Sequence, residues 1–473
     1  MGRVRATVQA GQESPAHAAP RVGRAEIVLA LAAFAVLCTV ALRTAPQLVE
    51  PDDYAYRASI VGITDGHLLT LSTAQMHAVA AQLAPTPGHG NALVGGPLPH
   101  LLPIQQWSHL ANGRWISEKD PGYPFLAAPF QLLGIIRLAP LFYGALACLG
   151  LFAGAWRWLG RYGGATAVGL FCSSGAALLF AWRDYMPTFT DASLIAAGSG
   201  ALLWAVLADS STRRRTAVGL LGFAAMEAAV FTRYTNIVVL ACAVLAVLIL
   251  RWRRPGQLPD RAVTWWIGSA VLFWAGVALF DTLVYGGPLA SGYQPGEIKF
   301  GMGAVWPNIR LMPSHLIEAM PMLVLGFAAV IGVGARWIRS RRYDAPPATL
   351  PEPGGTEGPG RDAAIGLALG ASWLGAWGLY AAYEWTAAPG LSTLQSVRFY
   401  LPAIGPIALL GAWTLTRLPL RRGLAVATSV AVVAMFALGI WSFSVTSSFH
   451  MGVKPIPAKV HPPGSHRTGG RGA

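Results

Sequence analysis

Two adjacent aspartates, Asp52 and Asp53, open the segment "PDDYAYRASI" (51–60), directly after the first long apolar stretch of the chain. A carboxylate at that place can cap a helix or sit solvated in a loop. It can also take a proton from a hydroxyl. Further along, "SEKDPGYP" (117–124) carries Glu118 and Lys119, "RDYMPTFTDASL" (183–194) carries Asp191, "TRYTN" (232–236) carries Arg233, and "SVRFYLPA" (396–403) carries Arg398. Each has a bland alternative. Lys119 can pair with Glu118 or Asp120, Asp191 can cap the helix that begins "ASLIAA", and Arg183 and Asp184 can form a local ion pair. Taken together, carboxylates and isolated cations point to one reaction class. A carboxylate can deprotonate an acceptor hydroxyl, while cations hold a phosphate and stabilise it as it leaves. A lipid-linked sugar phosphate meets both requirements.

The elements that must position these residues are membrane helices. The 473 residues are 54% hydrophobic and 12% charged, about half the charged fraction of a soluble domain, which is near 25%. Apolar runs of about 20 residues, each long enough to cross a hydrocarbon core, recur along the chain. The net charge of +14 does not imply nucleic acid, because the arginines cluster at the ends of apolar runs: "RRR" at 213–215, "RWRR" at 251–254, "RSRR" at 339–342 and "RLPLRR" at 417–422. That is the signature of cytoplasmic loops. Cys38, Cys148, Cys172 and Cys242 fall in apolar segments without paired spacing and read as small core residues. Trp265 and Trp266 read as interfacial belt residues.

An all-α polytopic fold follows, with spans at roughly 26–45, 138–158, 164–182, 190–208, 216–232, 235–251, 263–284, 315–337, 363–383, 398–416 and 423–442. Residues 1–25 form a basic cytoplasmic tail, with 26–45 as an uncleaved first helix. The parity of the arginine clusters makes 46–137 one large external loop. Within it Met76, Val79, Ala80 and Leu83 recur at helical spacing, as expected of a short amphipathic helix on the outer leaflet. Residues 123–136 read as a second interfacial or re-entrant piece. The loop 343–362, with its "APPATLPEPGGTEGPG", is a flexible cytoplasmic linker, and 443–473 a disordered external tail. On this topology Lys119, Arg233 and Arg398 are external, where isolated basic residues at membrane depth suggest an anionic partner. His67, His77, His89, His100 and His109 share the first loop but lack metal-ligand spacing, so they read as structural or solvated.

The ordered set of motifs resembles the GT-C superfamily of integral-membrane glycosyltransferases, particularly the lipid A aminoarabinose and protein O-mannosyl transferase-like branch. Those enzymes open with an acidic pair after the first helix and close the first external loop with a Glu-Lys-Pro-Pro-Leu-Tyr-Pro-like motif. Here Asp52-Asp53 is followed by Glu118-Lys119-Asp120-Pro121-Gly122-Tyr123-Pro124. Asp191 looks like the family's second-loop Asp, and Arg233 sits where relatives carry a basic phosphate ligand. Arg398-Phe399-Tyr400-Leu401-Pro402 is similar to their late Arg-Tyr-x-x-Pro segment, and "GGPLASGY" looks like a recurrent family loop. The resemblance runs from about residue 26 to 442. Departures are Asp53 in place of Glu, the interruption of the lysine motif by Asp120 and Gly122, and no large domain after the last span.

The resemblance implies a GT-C-type bundle of about 11 spans. It implies an inverting, polyprenyl-phosphate-sugar-dependent transferase of hexosyl or pentosyl type, acting at the outer leaflet of the cell membrane. Asp52 would be the base, aided by Asp53, with Lys119, Arg233 and Arg398 on the donor phosphate. Glu118 and Asp191 would orient the acceptor or bind a divalent cation; no other cofactor is implied. The acceptor would be a hydroxyl of a glycan, lipid or protein, and no nucleic acid partner is expected. A flippase for lipid-linked glycans would need ionisable residues in mid-span. Glu227, Asp281 and Glu318 instead lie near presumed ends or within one turn. A polysaccharide polymerase or ligase is the other alternative.

Overall fold

The computed structural model describes residues 22–44, 51–67, 69–83, 106–110, 112–253, 258–293, 298–342, 359–387 and 397–417, together with the single positions 256, 430, 433, 434 and 437. The expected span 423–442 therefore lies almost wholly outside the described residues. So do the tail 443–473, most of 1–25 and of the 343–362 linker, and His89 and His100.

Helix α1 (Arg24–Arg43) is followed by α2 (Pro51–Thr64), strand β1 (Thr70–Leu71), α3 (Thr73–Leu83), β2 (Trp107–His109), β3 (Trp115–Ser117) and α4 (Gly122–Leu132). Then come α5 (Ala139–Leu159), α6 (Gly163–Ser173), α7 (Gly175–Ala181), α8 (Thr188–Leu207), α9 (Thr212–Thr232), α10 (Ile237–Arg253) and α11 (Asp260–Tyr285). The chain continues through α12 (Met302–Ala319), α13 (Leu323–Arg342), α14 (Pro359–Ala381) and α15 (Ile404–Arg417). Among the described residues seven helices are long and apolar enough to cross a membrane singly, and two bent pairs pass the same test together. The expected all-α polytopic architecture is met.

Two expected spans are interrupted. The run 164–182 bends by 64° between α6 and α7 at Ser174, which is extended (φ −64°, ψ 130°). The expected span 315–337 is cut by a 111° bend after α12. Pro321 follows Met320 there, and a residue before proline is pushed out of the helical region (φ −139°, ψ 70° at Met320). Hydropathy alone reads through both breaks.

In the first loop α3 forms as expected, but its apolar face does not look outward. Met76 and Val79 are buried against Ala58 and Val61 of α2, Leu71 and Trp107. The loop's helices and the antiparallel sheet, in order β1–β3–β2 with Ser108 opposite Ile116, pack as one small unit. That burial, rather than lipid, takes up the helical stripe.

The bundle core is built on small residues. Gly150 and Gly154 of α5 meet the backbone of Ala197 and Gly200 of α8, and a Cβ at Gly154 would lie 2.4 Å from the Gly200 carbonyl oxygen. Such close approach is how membrane helices gain packing where lipid is as apolar as the side chains. Outward-facing Leu149, Leu221, Leu272 and Ile331 form the apolar flank that lipid covers.

The two ends of the bundle differ in charge. At one end Asp362 accepts from the Trp158 indole (2.8 Å), pairs with Arg417, and lies 4.0 Å from Arg336, tying together α5, α13, α14 and α15. The Arg213–Arg215 cluster and the ends of α10 and α13 fall at this end, as the alternation of the helices requires. The opposite end carries the first-loop unit and the cavity described next.

Candidate active site

Helix α2 starts on Pro51 and presents its two acids about 100° apart, so they cannot face the same partner. Asp53 turns inward, where it is 1% exposed and accepts from Arg183 Nη2 at 2.5 Å. Asp52 turns to an open-sided cavity of about 160 Å³. There Lys119 Nζ lies 3.1 Å from one carboxylate oxygen, and Arg398 Nη1 donates to the other at 2.7 Å.

Lys119 reaches this place because the β2–β3 hairpin ends two residues before it and α4 begins three residues after it. The α4 end of that connection is pinned by Gly122, where a Cβ would lie 2.4 Å from the carbonyl carbon of Phe231. Only glycine allows α4 to start against the end of α9. The ammonium group also donates to the Tyr293 hydroxyl (3.1 Å) and lies 5.0 Å from that ring's centre. Arg398 stacks over Phe399 and Trp385 at 4.7 and 5.0 Å.

Arg233 stands at the turn between α9 and α10. It pairs with Asp191 (Nε to Oδ2, 3.2 Å) and donates to the Arg398 carbonyl oxygen (3.0 Å) and the Thr188 hydroxyl (3.3 Å). The two arginines are thus joined through backbone. Asp191 itself is fully buried in the first turn of α8, and the Asn236 amide also reaches it.

Burial pushes the Asp52 carboxyl up, but the Lys119 and Arg398 charges outweigh it and hold the group below the usual carboxylate range. Burial would lower Lys119 as well, yet Asp52 holds it above its ordinary value. Asp120 behaves in the opposite way. It shares the cavity, accepts the Tyr234 backbone N–H (3.3 Å), and has no Lys or Arg within ion-pair distance among the described residues. Burial pushes it up to about 7, against the weaker pull of the Tyr234 N–H, Arg233 and Lys119.

Of the residues singled out in sequence, the fold brings Asp52, Lys119, Arg233 and Arg398 to one cavity. Asp191 lies behind Arg233, and Asp53 behind α2. Glu118 accepts from the Ser108 hydroxyl (3.3 Å), which also donates to Gly292, so it braces the loop after α11 instead of lining the cavity. Sequence reasoning passed over Asp120, Tyr56, Tyr234, Tyr293 and Tyr383, which complete the wall. Asp120 was visible only as a pairing option for Lys119 and as a departure from the lysine motif. The tyrosines lie on segments far apart in sequence and carried no spacing signal.

No group of three His, Cys, Asp or Glu side chains gathers to hold a metal among the described residues. Asp52 and Asp191 are already matched by Lys119, Arg398 and Arg233, a poor environment for a dication. His67 bonds Gln75 (3.1 Å), and His77 and His109 are exposed.

No protein-family model matches the chain, and no curated protein does. Among solved structures it is similar to ArnT from Cupriavidus metallidurans, at 16% identity and a TM-score of 0.48, covering 90% of this chain and 77% of that one. The same enzyme bound to undecaprenyl phosphate aligns at 16% identity and a TM-score of 0.46, covering 91% and 72%. The archaeal oligosaccharyltransferase AglB from Archaeoglobus fulgidus, in complex with an inhibitory peptide and a dolichol-phosphate, aligns at 11% identity and a TM-score of 0.48. That alignment covers 94% of this chain and 62% of that one. Both enzymes are GT-C glycosyltransferases, the kind whose motifs the sequence resembles.

Proposed function

We propose that this chain is an inverting membrane glycosyltransferase of the GT-C type, moving a hexosyl or pentosyl group from a polyprenyl-phosphate donor to an acceptor hydroxyl of a glycan, lipid or protein. The observation that carries this reading is the cavity itself: one carboxylate held between two cations, a third cation beside them, and a tyrosine-rich wall at one end of a bundle of membrane helices.

The reaction begins with an exchange of partners. Lys119 and Arg398 are occupied by Asp52, and an incoming phosphate offers them a second anion. As they turn to the phosphate, with Arg233 completing the set, Asp52 loses the charges that hold its proton affinity down. Its carboxylate becomes a stronger base at the moment the donor is seated. Asp52 then takes the acceptor proton, and the acceptor oxygen attacks the anomeric carbon from the face opposite the phosphate. The bond to the phosphate oxygen breaks, and its electron pair stays on polyprenyl phosphate, stabilised by Lys119, Arg233 and Arg398. Asp53 positions α2 through Arg183, Asp191 positions Arg233, and Glu118 braces the loop of Tyr293.

The arginine-rich end of the bundle supports a reading in which the cavity faces the extracytoplasmic side of the cell membrane and the N-terminus is cytoplasmic. A structure determined with polyprenyl phosphate tests the exchange. The phosphate should lie on Lys119 and Arg398, with Asp52 released from both. A phosphate bound elsewhere, with those ion pairs intact, would refute this reading.

A further inference from the structure

One carboxylate of the cavity, Asp120, takes no part in the proposed transfer. Asp120 follows Lys119 directly, and both it and Arg233 line the cavity. Two of the cations assigned to the donor phosphate act on it electrostatically. One oxygen of Asp120 accepts the Tyr234 N–H, and the side chain keeps part of its surface open to the cavity. An anion drawn in by Lys119 and Arg233 must settle beside this carboxyl group. As a carboxylate Asp120 would repel it; as an acid it could donate a hydrogen bond to it.

We propose that Asp120 carries a proton when the donor phosphate is bound and donates a hydrogen bond to that phosphate, so that donor binding and proton uptake are linked. The inference rests on the assignment of the cavity to a phosphate-linked donor. It separates the two aspartates by environment: in the empty cavity Asp52 is paired with two cations and ionised, ready to accept a proton once they turn to the phosphate, while Asp120, within ion-pair distance of none, can hold one. Divergent environments of this kind are how one site keeps an acid and a base at the same pH. The proton also balances charge. When the sugar leaves, the phosphate gains a negative charge, and the Asp120 proton is shared with the oxygen that receives the electron pair.

Several groups face Asp120 from the elements around it: Lys119 beside it, Tyr56 of α2, Arg233 and Tyr234 of the α9–α10 turn, Asp281 and Tyr285 of α11, Tyr293, and Tyr380 of α14. Even unperturbed, the lysine, arginine and tyrosines do not titrate between pH 5 and 9. Asp281, which accepts from the Tyr234 hydroxyl (2.8 Å), is a carboxylate that acts on Asp120 from α11 and serves as a control.

The sign is fixed by linkage. A bound anion favours the protonated form of Asp120, so affinity is full below the free-site value of about 7 and falls as pH rises through it, by up to about tenfold per pH unit. The probe is a polyprenyl phosphate methyl diester, whose own charge does not change over this range, titrated onto the purified full-length chain in detergent from pH 5.5 to 8.5. The parent should lose affinity above pH 7. Asp120→Asn, whose amide can donate to phosphate at any pH and whose carbonyl oxygen can still accept the Tyr234 N–H, should bind with a flat profile and at least tenfold more tightly than the parent at pH 8.5. Asp281→Asn should keep the parent's slope. Calorimetry in buffers of different ionisation enthalpy should show proton uptake at pH 7.5 in the parent and none in Asp120→Asn. A flat parental profile, zero uptake in the parent, or a parental slope or uptake that survives in Asp120→Asn would overturn the inference while leaving the donor reading intact. Absence of diester binding at every pH would overturn both.

Discussion

Replacing Asp52 by Asn should do two opposite things. The carboxylate that takes the acceptor proton is lost, and general-base catalysis is typically worth about 10²–10⁴-fold, so turnover should fall by that order. Donor binding should strengthen. Asp52 holds both Lys119 and Arg398, the cations assigned to the donor phosphate, at 3.1 and 2.7 Å. An ion pair near 3 Å is worth about 5 kcal/mol gross at an effective dielectric constant of 20. Most of that is exchanged, not lost, when phosphate replaces carboxylate. Freeing two cations that are each 9% exposed should leave a net gain of about 1–3 kcal/mol, or roughly tenfold to a hundredfold in affinity. Titration of polyprenyl phosphate onto parent and variant, alongside turnover of a polyprenyl-phosphate sugar, reads both quantities. A folded Asp52→Asn protein with parental turnover, or with weakened donor binding, would refute the reasoning.

Alanine at Lys119, Arg233 or Arg398 should weaken polyprenyl phosphate binding by about 1.5–3 kcal/mol each, roughly tenfold to more than a hundredfold, as titration would show. Asp53→Ala leaves Arg183 buried without its carboxylate, so a loss of about 3–5 kcal/mol is expected in thermal or denaturant unfolding in detergent. Activity per folded molecule at permissive temperature should survive that substitution far better than Asp52→Asn. For topology, a single cysteine at exposed Asn112 should react with an impermeant maleimide in intact cells, and one at exposed Arg213 only after lysis.

What the sequence made legible was chemical and one-dimensional. Asp52, Lys119, Arg233 and Arg398 stood out because isolated charges are costly at the edge of a membrane, and the fold brings all four to one cavity. The spacing of Asp52 and Asp53 said that they diverge, but not which one faces the cavity. That is decided by Arg183, 130 positions along the chain from Asp53. The apolar stripe of α3 was read correctly as amphipathic and assigned to lipid, since a stripe does not say what covers it. The breaks at Ser174 and Pro321 were hidden because apolar windows average over single residues. Asp120 was seen only as a pairing option for Lys119 and an irregularity of its motif, because its chemistry depends on a backbone N–H and on burial that no local pattern encodes.

The central claim is that sugar leaves a polyprenyl phosphate at this cavity with Asp52 as the base. Its most direct test is a single-turnover experiment with purified protein, a panel of polyprenyl-phosphate-linked sugars and hydroxyl acceptors. At least one donor should release polyprenyl phosphate and give a glycoside of inverted anomeric configuration, with the rate cut by about 10²–10⁴-fold in Asp52→Asn. Release of no polyprenyl phosphate from any donor, a product of retained configuration, or equal rates in parent and variant would contradict it.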